Sequence, residues 1–459
     1  MSDHGLCACA DKRCRCRHTN SDHSSEQALA DDPHNAIVRL VPVAERAPRA
    51  GALNGVPVAV KDLIDVAGVP TRCGSAVLAQ AAPAREDAAV VARLRAAGAV
   101  VVAKTHTHEF GYGPTGDVAV EGPCRNPHDP QRITGGSSSG SAAAVAAGLV
   151  PLAVGTDTGG SARIPAALCG VVGLKPALGA LPTTGVFPLS ETLDHIGLLG
   201  TDVGTVAAAL SALSGCWIDP SAPIAGTVVG RPTDPYWRVH DPEIAAAVDR
   251  AADALSAAGA VLREVRLPGI DELAATYRVI VGVEAYTIHR RWLAQRPEDY
   301  QPATSARLQA AAGYTPADYL SAQRTRRRLT AELTAQLLAE GIDVLLLAST
   351  PLRATPIGAR QVNAPKNTTE NTPDSTTEST PDGTRVEILP ALLSLTLPFN
   401  LLGWPAMSVP APGVSGLPIG IQVAAVRGGE QAALAVGARI VTPGGPARGS
   451  PEPGRRRPR

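Results

Sequence analysis

Short apolar runs alternate along this chain with longer stretches in which apolar residues recur at helical spacing. The runs predict strands at 56–60, 99–103, 260–265, 344–347 and 407–409, and the periodic stretches predict helices at 87–98, 242–259 and 317–340. Each of these helices ends at or just before a glycine, and a predicted strand follows it. This alternation of helix and strand predicts an α/β fold with a largely parallel or mixed sheet.

Three segments lack the apolar pattern and are predicted to lie outside the core. Residues 1–34 are polar and rich in Cys and His, and we expect a disordered extension there. Residues 361–384 are rich in Thr, Pro, Asn and acidic side chains, which predicts a low-complexity loop insertion. Residues 441–459 have the composition of a disordered Pro/Gly/Arg tail, so that 35–440 form the folded part of the chain.

The composition excludes several classes of function. Lys plus Arg and Asp plus Glu both number 42, and a chain of zero net charge lacks the basic surface that binds phosphate backbones. The 3 Phe, 4 Trp and 7 Tyr are too few for a base-stacking platform. No apolar run reaches the ~20 residues that span a bilayer, and the first residues contain no apolar segment typical of a signal peptide. We therefore expect no nucleic-acid partner, no membrane segment and a cytoplasmic location.

Four of the eight cysteines lie close together near two histidines, at Cys7, Cys9, Cys14, Cys16, His18 and His23. Thiolates at these positions are one way to hold a soft metal ion. The spacing is C-x-C rather than C-x2-C, and Lys and Arg flank the cluster. We therefore favour a polar extension that holds no metal, with a metal-binding scaffold as the alternative.

The stretch 134–176 contains the most informative sequence, two Gly/Ser-rich turns around an Ala-rich helix with Ser141 as its expected N-cap and Gly148 at its end. Gly135 and Gly140 have the spacing of a phosphate-binding loop, but Ser141 stands where such a loop requires Lys. The stretch contains neither the G-x-G-x-x-G fingerprint of dinucleotide binding nor the G-x-S-x-G of α/β-hydrolases. We therefore expect no nucleotide cofactor.

Glycine-rich turns allow the main chain to approach a small cavity closely. The amides of Gly159, Gly160 and Ser161 could then form an oxyanion hole, in which each donor is worth roughly 3–4 kcal/mol when charge develops in the transition state. A serine in the same turn could act as a nucleophile if a base lies nearby. Lys61 follows the apolar run VPVAV, and burial there would make it such a base. A solvated lysine at the end of a strand is the alternative.

Five motifs extend over much of the chain: GVPVAVKD at 55–62, GGSSSGS at 135–141, GTDTGGSAR at 155–163, LDHIG at 193–197 and LPFNLLG at 397–403. In these motifs the chain resembles the amidase signature family. The resemblance implies a single large α/β domain over 35–440, in which helices cover a mixed, twisted sheet. It also implies hydrolysis of an amide by a Ser, cis-Ser, Lys triad, without a metal or organic cofactor.

The resemblance also implies roles for individual residues, according to their positions in the motifs. Ser161 is the expected nucleophile, Ser137 the bridging cis-serine and Lys61 the base. The backbone N–H groups of the nucleophile turn are the expected oxyanion donors, at Thr158, Gly159, Gly160 and Ser161. The supporting residues are Ser138, Asp157 and Arg163, with Ser138 expected to hydrogen-bond Ser137 and Asp157 expected to pair with Arg163.

Other polar residues are given structural roles. His106 and His108 have the spacing of a zinc pair but lack a third ligand, so we expect them to be packed or at the surface, with a place at the pocket as the alternative. Asp194 and His195 could suggest a His-based triad, but the family resemblance makes them structural. Cys169 lies in an apolar run and is expected in the core.

The expected function is that of a stand-alone amidase that releases an acid plus ammonia or an amine from a small linear amide. The segment TTGVFPLSET at 183–192 resembles stand-alone amidases more than the glutaminase component of a tRNA-dependent amidotransferase, which is one alternative. Hydrolysis of a urea derivative of the allophanate or biuret type is another. The abundance of Ala, Val and Leu suggests a modest aliphatic pocket. A homodimer would be usual among relatives.

Overall fold

The computed structural model describes residues 27–42, 51–239, 241–363, 377–380 and 383–441. The cysteine cluster at 7–16 and the tail after 441 lie outside these residues. Of the extension predicted at 1–34, the end is ordered, since residues 27–30 form a helical turn and Leu29 is buried in the core. The expectation of disorder is therefore wrong for these last residues, because Leu29 gives them an apolar contact with the domain.

The strands of the described residues are β1 (Ile37–Leu40), β2 (Pro57–Lys61), β3 (Val100–Thr105), β4 (Arg125–Asn126), β5 (Asp129–Ile133), β6 (Leu152–Asp157), β7 (Val172–Lys175), β8 (His195–Gly200), β9 (Val228–Pro232), β10 (Val261–Val265), β11 (Val344–Ala348), β12 (Gln361–Asn363), β13 (Thr377–Thr380), β14 (Gly383–Glu387), β15 (Ala406–Pro410) and β16 (Gly420–Ala425). In the described part of the chain, eleven of them form one sheet in the order β1-β3-β2-β6-β8-β7-β15-β16-β11-β9-β10.

This sheet is mixed, as the helix–strand alternation predicts. β3, β2 and β6 are parallel to one another, and so are β11, β9 and β10 at the other side. The strands between these two groups pair antiparallel, from β6 through β8, β7, β15 and β16 to β11. All residues of β6 and β8 are buried, which fits strands covered on both faces by helices.

The helices are α1 (Ala89–Ala96), α2 (Ser139–Ala146), α3 (Arg163–Cys169), α4 (Val203–Ser214), α5 (Pro242–Ala257), α6 (Glu272–Gln295), α7 (Pro302–Ala311), α8 (Pro316–Ala339), α9 (Ile388–Ser394), α10 (Leu397–Leu401) and α11 (Gly429–Val441). α1, α5 and α8 confirm the helices predicted from periodicity to within about two residues at each end. The N-terminus of α5 is fixed by Asp241, whose carboxylate accepts the N–H of Glu243 at 2.9 Å. The N-terminus of α8 has a capping box between Thr315 and Asp318.

One helix boundary differs from its prediction. α2 begins at Ser139 with Ser138 as the N-cap residue, so Ser141 lies inside the helix and does not cap it. The Ser141 hydroxyl instead contacts Thr105 Oγ1 at 2.8 Å. The helix packs so closely on β3 that a neighbouring strand, rather than the helix end, supplies the hydroxyl's partner. Gly148, predicted to follow the helix, has φ +72°, which favours glycine.

The predicted loop at 361–384 also differs in its described parts. β12 and β13 both pair antiparallel with β14, and the three strands form a small sheet of their own. Threonine has a high strand propensity, and the prediction of a loop rested on the low apolar content of the segment alone. Residues 364–376 and 381–382 of the predicted loop lie outside the described residues.

The parallel pairing of β2 and β6 brings their carboxyl ends to one edge of the sheet. β2 ends at Lys61 and β6 ends at Asp157. The first Gly/Ser-rich turn leads into α2 and the second leads from β6 into α3, so both turns face this edge. The fold therefore gathers the three motifs at 55–62, 135–141 and 155–163 in one place.

Candidate active site

Lys61 lies at the edge of the sheet where the three motifs meet, and its side chain is completely buried. Its Nζ donates to Ser137 Oγ at 2.7 Å, to Thr156 Oγ1 at 2.7 Å and to Ser138 Oγ at 3.1 Å. The alternative of a solvated lysine at a strand end is therefore wrong. Thr156 is a contact that the sequence analysis missed, although its place in the GTDTGGSAR motif was an available signal.

The pKa of Lys61 is lowered from its ordinary value of 10.5 to about 7, and burial is the cause. The charges of Asp157 and Asp194 and the thiol of Cys73 raise it, but less than burial lowers it. An amine with this pKa is partly neutral near pH 7. Lys61 can therefore accept a proton from a hydroxyl, which is the property required of a general base.

The peptide bond between Gly136 and Ser137 is cis, as the family resemblance implies. Ser138 was expected to support Ser137, but its Oγ instead receives the Lys61 donation and donates to the backbone oxygen of Thr156 at 3.1 Å. Among the described residues no hydrogen bond joins the side chains of Ser138 and Ser137. The expectation is wrong for the partner, because the Ser138 side chain faces β6, where a backbone acceptor is available.

Ser161 lies in the turn between β6 and α3. The N–H of Ser138 donates to the backbone oxygen of Ser161 at 3.0 Å, which ties the two Gly/Ser-rich turns together. The Ser161 Oγ has no hydrogen-bond partner within the described part of the chain, and Ser161 lines a cavity. The structure thus joins Lys61 directly to Ser137 and places Ser161 on the adjoining turn without a bond between the two serine hydroxyls. Catalytic hydrogen bonds often tighten only when substrate binds.

Asp157 braces the Ser161 turn. Its carboxylate accepts the N–H of Gly160 at 2.9 Å and that of Ala162 at 3.1 Å. Arg163 pairs with it through Nε at 3.0 Å and through a terminal nitrogen at 2.9 Å, and both side chains are completely buried. Burial alone raises the pKa of Asp157, but the charge and hydrogen bonds of Arg163 outweigh burial and hold that pKa below its ordinary value. The expected pairing of Asp157 with Arg163 is present.

Three distant residues complete the surroundings of Arg163 and were missed by the sequence analysis. Its guanidinium donates to the backbone oxygen of Thr396 at 3.0 Å, to Gln422 Oε1 at 2.7 Å and to Asn400 Oδ1 at 2.6 Å. Asn400 belongs to the LPFNLLG motif, but only the tertiary structure places it here. Gln422 is the polar residue of the otherwise apolar strand β16, which was the available signal.

We expect Arg163→Met to lower the free energy of unfolding by about 3–5 kcal/mol, because it leaves the Asp157 carboxylate buried without its cation. Urea denaturation at pH 7 measures the loss. The matched control is Arg328→Met, which removes an exposed guanidinium paired with Glu272 and Glu332 and should lower the stability far less, because water screens exposed ion pairs. Equal losses in the two variants would contradict the bracing role of Arg163.

The backbone N–H groups of Thr158, Gly159, Gly160 and Ser161 were expected to receive an oxyanion. The expectation is wrong for Gly160, because its N–H is already bonded to the Asp157 carboxylate. Those of Thr158, Gly159 and Ser161 have no acceptor among the described residues. Three donors therefore remain available at this turn.

A sequence model of the family described as Amidase matches residues 35–434 of the chain. The chain belongs to the amidase signature family. Among its relatives, AtzE of the 1-carboxybiuret hydrolase from Pseudomonas sp. (strain ADP) is 38% identical over 402 residues, which are 84% of this chain and 83% of the relative. The A component of the glutamyl-tRNA(Gln) amidotransferase from Symbiobacterium thermophilum is 34% identical over 412 residues, or 81% and 79%. A crystal structure of an amidase matches with a TM-score of 0.80 at 36% identity, over 93% of this chain and 97% of that one.

Membership of the amidase signature family confirms the resemblance found in the sequence motifs. It makes the chain a hydrolase of amide C–N bonds, with the large mixed α/β domain described above. The relatives act in different settings, since one is named as part of a carboxybiuret hydrolase and another as part of a tRNA-dependent amidotransferase. The family therefore fixes the class of bond and leaves the substrate open.

A cavity of about 330 Å³ lies over the Ser161 turn of this amidase domain. Gly111 lines it and lies against Ser137, since a methyl group on Gly111 would be 3.5 Å from Ser137 Oγ. The volume suits a small molecule rather than a protein segment. A compound in the cavity can therefore touch Ser161 and lie next to Ser137.

The lining is mostly apolar, but it is more aromatic than the aliphatic pocket that composition suggests. It includes leucine, valine and alanine side chains, but four of the seven tyrosines of the chain also line it, at Tyr112, Tyr236, Tyr277 and Tyr314. Tyr277 packs closely on the nucleophile turn, where a methyl group on Gly159 would clash with its hydroxyl. Burial raises the pKa of Tyr277, so its phenol stays protonated as a potential donor. No local sequence signal marked this residue.

The remaining polar candidates are held by structural contacts. His106 is buried between Ser139 Oγ at 2.7 Å and the backbone oxygen of Gly122 at 2.8 Å. His195 contacts the backbone oxygen of Leu193 at 2.6 Å, and Asp194 accepts from Thr158 Oγ1 at 2.6 Å. Through Thr158, Asp194 helps to hold the nucleophile turn, and it does not form a His-based triad with His195.

Metal-binding clusters and membrane-spanning helices are both absent from the residues that the structure describes. No group of three or more His, Cys, Asp or Glu side chains there has a metal-binding arrangement, and Cys169 is buried in the core as expected. None of the described helices combines the length and apolar character needed to cross a membrane.

Proposed function

We propose that the chain hydrolyses a small carboxylic amide to the acid and ammonia or an amine through an acyl-enzyme on Ser161. The observation that carries this proposal is the buried Lys61 amine, with a pKa lowered to about 7, bonded to Ser137 Oγ at 2.7 Å beside the Ser161 turn. A base in this state together with an adjoining cavity is what nucleophilic catalysis by serine requires.

In the proposed first half-reaction, the Ser161 hydroxyl passes its proton to Ser137 while Ser137 passes its own proton to neutral Lys61. Ser161 Oγ attacks the amide carbonyl and forms a tetrahedral intermediate. The proton then returns along the same path to the leaving nitrogen, the C–N bond breaks, and an ester to Ser161 remains. A water molecule activated by the same path attacks this ester and releases the acid.

The negative charge of the intermediate falls on the carbonyl oxygen, and the N–H groups of Thr158, Gly159 and Ser161 are its proposed donors. Thr156 and Ser138 hold the Lys61 amine in place through their oxygens at 2.7 and 3.1 Å. Asp157, Arg163 and the hydrogen bond to Gly160 keep the turn fixed, so that little reorganisation is needed when charge develops.

A urea derivative is the second candidate substrate, because the relative named as part of a 1-carboxybiuret hydrolase is 38% identical over most of both chains. Glutamine is the substrate to test for the glutaminase alternative, which rests on the amidotransferase relative. A stand-alone amidase, a homodimer and a cytoplasmic location stay predictions from the sequence. The scaffold alternative rests on the cysteine cluster, which lies outside the described residues.

Ammonia release from the purified chain alone tests the proposal. The panel contains aliphatic and aromatic amides, glutamine, allophanate and biuret. Release from at least one simple amide or urea derivative supports the proposal, and the rates identify the better class. A folded chain that releases ammonia from none of these compounds contradicts a stand-alone hydrolase. Release that occurs only with added partner proteins of an amidotransferase would support the glutaminase alternative.

We expect kcat/KM of the free enzyme to rise with pH through an apparent pKa of about 7 and to be level above it. Lys61 must be neutral to accept a proton, and the neutral fraction grows as pH rises through its lowered pKa. Initial rates between pH 5.5 and 9.5 in buffers of constant ionic strength measure the profile. A limb centred near 10.5, the ordinary value for lysine, would show that Lys61 is not the group that titrates.

A further inference from the structure

Arg307 of α7 lines the same cavity as Ser161 and is not neutralised by the protein. The two nearby carboxylates have other partners. Glu109 accepts from Ser75 Oγ at 2.6 Å and from the N–H of Gln301 at 2.9 Å, while Asp117 pairs with Arg360 at 3.2 Å. Among the described residues, Arg307 has no ion-pair partner. A half-buried guanidinium without a counter-ion calls for an anion supplied from outside the chain.

The guanidinium is nevertheless held in place. Its Nε donates to the backbone oxygen of Ala303 at 3.1 Å, and one terminal nitrogen lies 3.3 Å from Nε2 of His108. The Tyr112 ring lies under it, 5.2 Å from ring centre to guanidinium carbon. Of the five N–H bonds of an arginine, these contacts use two, and the other three have no acceptor within the described part of the chain.

The position of Arg307 relates it to the reacting atoms. Tyr112, on which it stacks, follows Gly111, and Gly111 lies against Ser137. The cavity of about 330 Å³ includes Ser161, Tyr112 and Arg307 in one lining, so a short molecule can reach from the nucleophile to the guanidinium. Arg278 also lines the cavity, but its side chain is exposed and its charge is screened by water.

We infer that the amide substrate bears a carboxylate and that Arg307 binds this carboxylate through its free N–H groups. A planar guanidinium fork matches the two oxygens of a carboxylate, and a charge-assisted pair in a partly dry cavity discriminates strongly against a neutral analogue. The inference rests on the proposed function, since it names the substrate class of the same cavity. Half-amides of dicarboxylic acids and N-carboxylated ureas have this chemistry.

Matched substrate pairs test the inference. Malonamate is compared with acetoacetamide, and succinamate with 4-oxopentanamide, in which a methyl ketone replaces the carboxylate. The wild type is expected to prefer each carboxylate by roughly 30-fold or more in kcat/KM. Arg307→Met should reduce kcat/KM for the carboxylates by roughly 30- to 100-fold, mainly through KM, and change it for the ketones less than about threefold. A merely structural role would lower the rates for both members of a pair.

Two variants serve as comparisons. Arg307→Lys keeps the charge but lacks the fork, so it should recover part of the preference and it covers the case in which Arg307→Met does not fold. Arg278→Met removes the exposed guanidinium and should weaken the preference less than about fivefold. No preference in the wild type, or a preference lost in Arg278→Met and kept in Arg307→Met, would overturn the assignment.

Calorimetric titration with succinate separates this inference from the proposed function. Binding to the wild type and to Ser161→Ala that is lost in Arg307→Met supports the carboxylate site even if no amide is hydrolysed, a result that would overturn the proposed function alone. Hydrolysis of neutral amides together with no succinate binding would overturn the inference and leave the proposed function standing.

Discussion

Ser161→Ala is expected to reduce kcat/KM for the best amide substrate by at least about 10⁴-fold, because no acyl-enzyme can form without the nucleophile. The variant should keep the stability of the wild type. The Ser161 Oγ has no hydrogen-bond partner among the described residues, so the substitution leaves no buried group unpaired. Ammonia release and thermal unfolding, measured on the same preparation, check both expectations.

Ser141→Ala is the matched control for this loss. Ser141 lies in α2, a few residues after Ser137, and its hydroxyl contacts Thr105 rather than Lys61. Alanine suits a helix interior, and we expect activity within a few fold of the wild type. If Ser161→Ala retained more than about a tenth of wild-type activity, another residue would have to be the nucleophile.

Lys61→Met is expected to reduce kcat by at least about 10³-fold, because the proton of the nucleophile loses its acceptor. Methionine has a similar length and needs no desolvation, so the fold should tolerate it. The hydroxyls of Ser137, Ser138 and Thr156 lose a partner, although they can bond to water or to one another. The residual activity of the variant should also lose the pH dependence near 7 that the wild type is expected to show.

Lys175→Met provides the comparison with another completely buried lysine. Lys175 ends β7, and its Nζ donates to the backbone oxygens of Trp404 at 2.7 Å and of Pro176 at 3.0 Å. Its loss removes a buried amine without touching the three hydroxyls around Lys61, so activity should fall less than about tenfold. A similar fall in both variants would mean that the Lys61 effect arises from damage to the packing rather than from the loss of a base.

The local elements were predictable where pattern and chain geometry agree. α5 and α8 have apolar residues at helical spacing and side-chain caps at Asp241 and Thr315, and both helices were predicted close to their observed bounds. α6, of 24 residues, was missed because its own apolar and polar side chains are spread around the helix and form no clear apolar stripe. The pairing order of the strands was not predictable, since it depends on contacts between residues far apart in sequence.

Some contacts of the candidate site were likewise predictable from the sequence, and others were not. Lys61, Ser137 and Ser161 were found from their motifs, and Asp157 with Arg163 was a pairing that short sequence separation favours. Thr156 as a third partner of Lys61, and Asn400 and Gln422 around Arg163, needed the assembled sheet. The error at Gly160 has the same origin, because a glycine-rich turn offers several N–H groups, and only the folded turn decides which of them the Asp157 carboxylate occupies.

By itself, the sequence determined the family, the class of bond hydrolysed and the three residues proposed to act on it, because each of these follows from residue types at fixed spacing within short motifs. The tertiary structure decided the protonation behaviour of Lys61 and the character of the cavity. A pKa depends on the water and charges around a group, and burial arises only when β2 is covered by the rest of the domain. The cavity likewise collects tyrosines and Arg307 from distant helices and loops, a concentration that overall composition cannot reveal.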